Sequence, residues 1–166
     1  SLMLVAVVAI VATGCSRTHS RGPVGTIDAP NISDHRLIVP PGLKPGDTIA
    51  VIAPAKWRAE EPTHWTVEYL EGLGYNVRLA DNVFHRYGYL AGTDQVRAAS
   101  LMEAFLDPEV DAIFPVTGGY GSTRILDLLD YDAIRANPKM FVGFSDITAL
   151  HLAILQHSGI ITYSTP

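Results

Sequence analysis

The chain has 166 residues, enough for one α/β domain with a buried sheet. Its 48% apolar and 17% charged residues exclude an intrinsically disordered chain. A net charge of -5, with no dense Lys/Arg run, argues against a nucleic-acid partner, because binding a phosphate backbone needs a basic face.

Leu2 to Ala12 is almost wholly apolar. It is short of the roughly 20 residues a membrane-spanning helix needs, and it fits the hydrophobic region of a secretory signal. It ends in Ala12-Thr13-Gly14-Cys15, an order that resembles a bacterial lipobox, with Ala12 where Leu is usual. That resemblance implies a lipid on Cys15, anchoring at a membrane surface without spanning it, and an exported, periplasmic or cell-envelope location. A cleaved signal with an incidental cysteine, or a buried first strand, are the alternatives. Cys15 is the only cysteine, so it makes neither an internal disulfide nor a cysteine-based metal site. Residues 1–15 therefore read as a lipoprotein-type signal segment. Residues 16–39, rich in Ser, Arg, Gly, Pro, Asn and Asp without a sustained period, read as a linker. The folded domain is expected from about Pro40 to Pro166.

From Pro40 onward, short apolar runs alternate with helical stretches. Thr48 to Ala53 is a buried strand closed by Pro54. Pro62 to Leu73 places Trp65, Tyr69, Leu70 and Leu73 near helical spacing, and Gly74 stops that helix. Asn76 to Leu79 is a short strand. Thr93 is an N-cap, with Asp94 in the first turn of a helix that runs to about Leu106. Asp94 and Arg97, three apart, pair to fix that helix start. Asp111 to Val116 is a third strand, although Pro115 is unusual within it. A helix follows at about Ser122 to Leu129, then a strand at Met140 to Gly143. Ser145 to Gln156 is helical and Gly159 to Tyr163 is the last strand. Strands alternating with helices imply a three-layer parallel α/β sheet, flavodoxin-like or class I glutamine amidotransferase-like. Ligands in such sheets sit at the carboxyl ends of the strands.

Two strand-to-helix turns carry candidate chemistry. In Thr117-Gly118-Gly119-Tyr120-Gly121-Ser122 the glycines allow close backbone approach to a ligand. No lysine completes a Walker pattern, and Arg124 stands where a dinucleotide fingerprint needs glycine, so both nucleotide readings fail in detail. The alternative is a plain tight turn. In Val142-Gly143-Phe144-Ser145-Asp146-Ile147-Thr148, a serine between strand and helix is placed as in a nucleophile elbow, although Ile147 replaces the second glycine of Gly-x-Ser-x-Gly. Read locally, Ser145 is first a helix N-cap, a role compatible with catalysis.

Lys44-Pro-Gly-Asp-Thr-Ile-Ala-Val-Ile-Ala-Pro54, Ala91-Gly-Thr-Asp-Gln-Val-Arg97, Gly118-Gly-Tyr-Gly121, Leu129-Asp-Tyr131, Gly143-Phe-Ser-Asp-Ile-Thr-Ala149, Ile161-Thr-Tyr163 and Pro166 occur in one order. Together they resemble the N-terminal domain of the LD-carboxypeptidases, a serine peptidase family (S66) that includes muramoyltetrapeptide carboxypeptidase and the microcin-immunity peptidases. The resemblance implies a Ser-His-Glu hydrolase acting on the L,D amide before the terminal D-Ala of murein tetrapeptides, with no cofactor or metal, and a homodimer. It assigns the nucleophile to Ser145. The oxyanion donors fall on the backbone N–H of Asp146 and one from Gly118-Gly119, with Tyr120 and Gly121 toward the substrate. Thr117 departs from the Arg that peptidoglycan-processing members usually carry. The resemblance puts the catalytic Glu and His in a second domain beyond Pro166, so the 166 residues alone are expected to be inactive. The alternatives are an immunity-type peptidase of the same family and a lipid-anchored, non-catalytic cell-wall-peptide binding module.

No local histidine substitutes as the base. His151, six residues after Ser145, lies about 240° round a helix and faces away from it. His64, His85 and His157 have no evident pairing and read as surface or packing residues. Trp57, Tyr87 and Tyr89 lie in loops after strand ends, where they line a cleft or pack against another domain. Glu60 and Glu61 read as solvated.

Overall fold

The computed structural model describes residues 36–165. The expected signal segment, with Cys15, and the linker up to residue 35 lie outside the described residues.

Five strands form one sheet: β1 (Thr48–Ile52), β2 (Asn76–Leu79), β3 (Ala112–Pro115), β4 (Met140–Gly143) and β5 (Tyr163–Ser164). Their order is β2-β1-β3-β4-β5 and every pairing is parallel. This is the flavodoxin strand order, in which the chain reverses its direction of winding between β1 and β3. The helices are α1 (Glu60–Gly72), α2 (Asp94–Leu106), α3 (Tyr131–Ala136) and α4 (Thr148–Ser158).

β1 is apolar without alternation because both of its faces are covered. Ala50 and Ile52 join a cluster with Leu101 and Phe105 of α2, Ile134 of α3, Phe141 of β4 and Leu150 and Ile154 of α4. Ile49 and Val51 join the opposite cluster with Leu70 of α1, Val83 and Ala112. Phe105 and Phe141 stack at 6.2 Å between ring centroids. Pro115 is accommodated at the end of β3. Val116 N–H donates to the Ile52 carbonyl at 2.7 Å, so by strand alternation the N–H that Pro115 lacks falls on the β4 side. Pairing between β3 and β4 has already ended there, at Ile113 opposite Phe141. The two strands are therefore free to part where their following turns begin.

The elements match the expected ones with local differences. Thr93 caps α2, its hydroxyl accepting from Val96 N–H at 3.3 Å. Gly74, at φ +91°, lies just past the end of α1, where a left-handed residue is needed. The apolar face of α1 is narrower than its sequence spacing suggests: Leu70 is buried, whereas Trp65, Tyr69 and Leu73 are exposed. The helix packs chiefly over β2 at the sheet edge, which leaves that side uncovered by described residues. Ser122–Leu128 is a 3-10 helix rather than an α-helix. α3 was not expected; Asp130 caps it, its carboxylate accepting from Ala133 N–H at 2.9 Å. The last strand is shorter and later than expected. Gly159, at φ +69°, ends α4, and Ile160 then pairs in parallel with Ile38 before β5 begins.

Arg97 of α2 is fully buried. Its Nη1 donates to the Pro54 carbonyl, just beyond β1, and to the Gly121 carbonyl at 2.9 Å, while its Nη2 donates to Asp94. Burial pushes the guanidinium pKa down and Asp94 pulls it back up. Asp94 also accepts two-pronged from exposed Arg124, whose hydrogen bond is the main reason its carboxyl lies below its ordinary value. The expected Asp94–Arg97 pair thus exists, and it ties two strand ends together besides fixing the helix start. Arg97→Met strips the Pro54 and Gly121 carbonyls of their donor in a buried site. Its unfolding free energy in urea should fall by about 3 kcal/mol or more.

Candidate active site

Ser145 is the only described non-glycine residue with positive φ, at 61°. For an L-residue this left-handed conformation costs about 1–2 kcal/mol. It is the first residue of a 3-10 turn (Ser145–Ile147) that follows β4 and leads directly into α4. The expected N-cap role is corrected by this geometry. Phe144 occupies the cap position, no side chain caps the turn, and the exposed Ser145 hydroxyl has no hydrogen-bond partner among the described residues.

The sharpness of the turn has a local cause. A Cβ on Gly143 would lie 2.8 Å from Ile147 Cγ2, so the chain folds back onto itself across this glycine. Ile147 is buried in the core and anchors the far side. It fills the place where the usual motif has a second glycine, and here packing serves in place of flexibility.

The glycine turn after β3 lies directly against this elbow. A Cβ on Gly118 would meet Asp146 N, the Phe144 carbonyl oxygen and Ser145 Cβ, each at 3.2 Å. The Asp146 carboxylate completes the tie, accepting from Ser122 N–H at 2.9 Å. Gly119 (φ +105°) and Gly121 (φ +126°) hold conformations that side chains rarely adopt. Gly119 faces Lys56 Cβ and the Tyr89 hydroxyl, each 2.9 Å from where its own Cβ would stand. Gly121 turns inward against Leu90 and Arg97, and Tyr120 between them is exposed. Five of the sequence candidates, Ser145, Asp146, Gly118, Gly119 and Tyr120, are thus gathered at the carboxyl ends of β3 and β4. Gly121 belongs to the same turn, but its carbonyl is taken by Arg97. Cys15 lies outside the described residues.

The histidines stand apart. His151 is 7% exposed. Its Nε2–H donates to the Gly143 carbonyl at 2.9 Å, and its ring meets Phe141 edge-on. It packs beneath the elbow as a support. Burial holds its pKa below the ordinary value of 6.5, with the Gly143 bond opposing. His157 leans on Tyr131 and His64 on Phe84.

Sequence reasoning singled out Trp57 after β1 but passed over the cations on either side of it, Lys56 and Arg58. Lys56 N–H donates to the Gly118 carbonyl at 3.4 Å, Arg58 Nη1 donates to the Val116 carbonyl at 2.7 Å, and Arg86 lies 4.3 Å over the Trp57 ring. The available signal was two cations set immediately past a strand end, on the side of the sheet where ligands bind.

A flavodoxin-ordered sheet with a strained serine elbow against a glycine turn defines an α/β protein of the nucleophile-elbow type. The chain belongs to the LD-carboxypeptidase family: residues 49–165 match the LD-carboxypeptidase N-terminal domain. It is 43% identical over 127 residues to the "Probable murein peptide carboxypeptidase" of Bacillus subtilis (strain 168), covering 76% of this chain and 40% of that protein. It is 38% identical over 110 residues to the "Murein tetrapeptide carboxypeptidase" of Pseudomonas aeruginosa, covering 66% of this chain and 36% of the relative. Among solved structures it is similar to an MccF-like protein from Bacillus anthracis str. Ames, with a TM-score of 0.75 and 41% identity over 78% of this chain and 40% of that one. The chain therefore spans about two-fifths of the length of the proteins it matches.

Because the pKa of His151 is depressed on folding, the unfolded chain takes up its proton first as pH falls. Stability should then decline as pH drops through the unfolded value near 6.5. His151→Gln cannot titrate, so denaturation midpoints followed across this range should fall less steeply in the variant than in the parent.

Proposed function

We propose that Ser145 is the nucleophile of a serine-type LD-carboxypeptidase that hydrolyses the L,D amide before the terminal D-Ala of murein tetrapeptides. This chain supplies the nucleophile and oxyanion side of the site. The observation that carries the reading is the left-handed Ser145 at the head of α4, with no capping role and with Gly118 packed against it. A strained serine on a strand-to-helix turn presents its hydroxyl above the sheet, and the helix start behind it favours negative charge.

In this reading Ser145 Oγ attacks the scissile carbonyl carbon as its proton passes to a general base. The oxyanion is held by the backbone N–H of Asp146 and one from Gly118-Gly119. Collapse of the adduct expels the D-alanine amino group, which takes up that proton. Water then cleaves the ester and regenerates the serine. The base and its orienting carboxylate are the His and Glu of the second domain that the resemblance implies. Tyr120, exposed on the glycine turn, faces the substrate. The apolar run before Cys15 supports export and lipid anchoring at the cell envelope, and the resemblance supports a homodimer.

Likeness to an MccF-like structure supports a second reading, an immunity-type peptidase of the same family that cleaves an aminoacyl-nucleotide. Incubating the full-length protein with a serine-directed phosphonate, and separately with murein tetrapeptide and with an aminoacyl-nucleotide, tests both. The expected outcome is a label on Ser145, release of D-alanine, and a loss of at least about a thousandfold in Ser145→Ala. Labelling with cleavage of the aminoacyl-nucleotide alone would favour the second reading. No label, with tetrapeptide still bound, would make the protein a wall-peptide binding module.

A further inference from the structure

The turn after β1 crosses the carboxyl end of the sheet where the strand order reverses, between β1 and β3. Lys56, Trp57, Arg58, Ala59 and Thr117 line an open cavity there of about 300 Å³. Thr117 is bonded to Gly118, and Gly118 lies against Ser145 and Asp146. The cavity is therefore joined to the elbow through a single residue, Gly118.

Its two cations are held in place and available. Lys56 is fixed by its N–H on the Gly118 carbonyl, and its ammonium stands 5.7 Å from the Tyr89 ring centroid. Arg58 spends one of its five N–H donors on the Val116 carbonyl, the group just before Thr117. Both side chains are half-buried. Arg78, Arg97 and Arg124 each pair with a carboxylate, whereas neither Lys56 nor Arg58 has an acidic partner within ion-pair distance among the described residues. Glu60 and Glu61, the nearest acids in sequence, point to solvent at the start of α1. Two half-dehydrated, unpaired cations around a cavity favour an anion, and a guanidinium with donors to spare suits a planar carboxylate.

We infer that Lys56 and Arg58 form the subsite for the free carboxylate of the substrate's terminal residue, the residue expelled when Ser145 is acylated. The assignment rests on the carboxypeptidase reading for its substrate and on the cavity for its chemistry. In a terminal α-amino acid the carboxylate stands only one residue from the scissile carbonyl, so its subsite must adjoin the elbow, as this cavity does through Gly118. The subsite makes the enzyme an exopeptidase: an amidated or extended C-terminus offers no charge to these cations and forfeits their hydrogen bonds.

Calorimetric titration of the full-length Ser145→Ala protein, with a murein tetrapeptide ending in a free carboxylate and with its C-terminal amide, reads this directly. The acid should bind at least about tenfold tighter than the amide. Arg58→Met and Lys56→Met should each shrink that ratio and the double variant should abolish it. Arg58→Lys should keep part of it, and amide binding that stays unchanged throughout shows that the variants remain folded. An undiminished acid preference in the double variant overturns the inference, as does failure of the parent to distinguish acid from amide or to bind either. The hydrolase reading fails separately: if the wild-type protein releases no D-alanine while the acid preference tracks Lys56 and Arg58, the carboxylate subsite stands on a binding protein.

Discussion

The buried guanidinium of Arg97 joins parts of the chain that the sheet alone does not bring together. It reaches from α2 to the carbonyl of Pro54 beyond β1 and to that of Gly121 beyond β3, and Asp94 balances its charge. A hydrogen-bonded charge in a dry site is costly to disturb, because any displacement leaves donors or acceptors unsatisfied. The two turns are therefore held in a single arrangement. Asp146 extends the connection to a third strand end by accepting from Ser122 N–H, one residue after the carbonyl that Arg97 holds. Three loops from three strands are tied by two side chains, and the elbow is built on that tie.

The arrangement explains how a strained residue persists. Left alone, Ser145 would relax to a negative φ, and the local sequence offers it a comfortable alternative as a helix cap. Gly143 folded back on buried Ile147 blocks that relaxation from below, and Gly118 against Ser145 and Asp146 blocks it from above. His151 secures the Gly143 carbonyl from within the core. Strain of this kind accumulates where the surrounding packing over-determines the backbone, which is also where function tends to lie.

Much of this was legible in the sequence. Unbroken apolar runs ending in proline or glycine marked β1, β3 and β4, and Thr93 marked the start of α2, because each signal is short-range. Patterns that depend on neighbours were less legible. Trp65, Tyr69 and Leu73 have core spacing, yet they face outward because α1 covers only the sheet edge. The 3-10 run at Ser122–Leu128 and the short α3 are shaped by packing against α2 and α4 rather than by propensity. The two glycine-bearing turns were visible singly, but their contact was not, since 24 residues separate Ser122 from Asp146. The cations of Lys56 and Arg58 gained meaning only once β1 and β3 were seen to be adjacent. Ser145 itself read as a cap, and its positive φ is a property of the folded chain.

The central claim is that Ser145 is held in a left-handed conformation at a cost to stability, and it is tested most directly by comparing the unfolding free energies of Ser145→Gly and Ser145→Ala with that of the parent. Glycine tolerates positive φ, so Ser145→Gly should be more stable than the parent by about 1 kcal/mol. Ser145→Ala, which keeps the strain and loses no capping bond, should fall within about 0.5 kcal/mol of it. If both variants are less stable than the parent, with alanine worse by about 1 kcal/mol, Ser145 is an ordinary helix cap and the account is wrong.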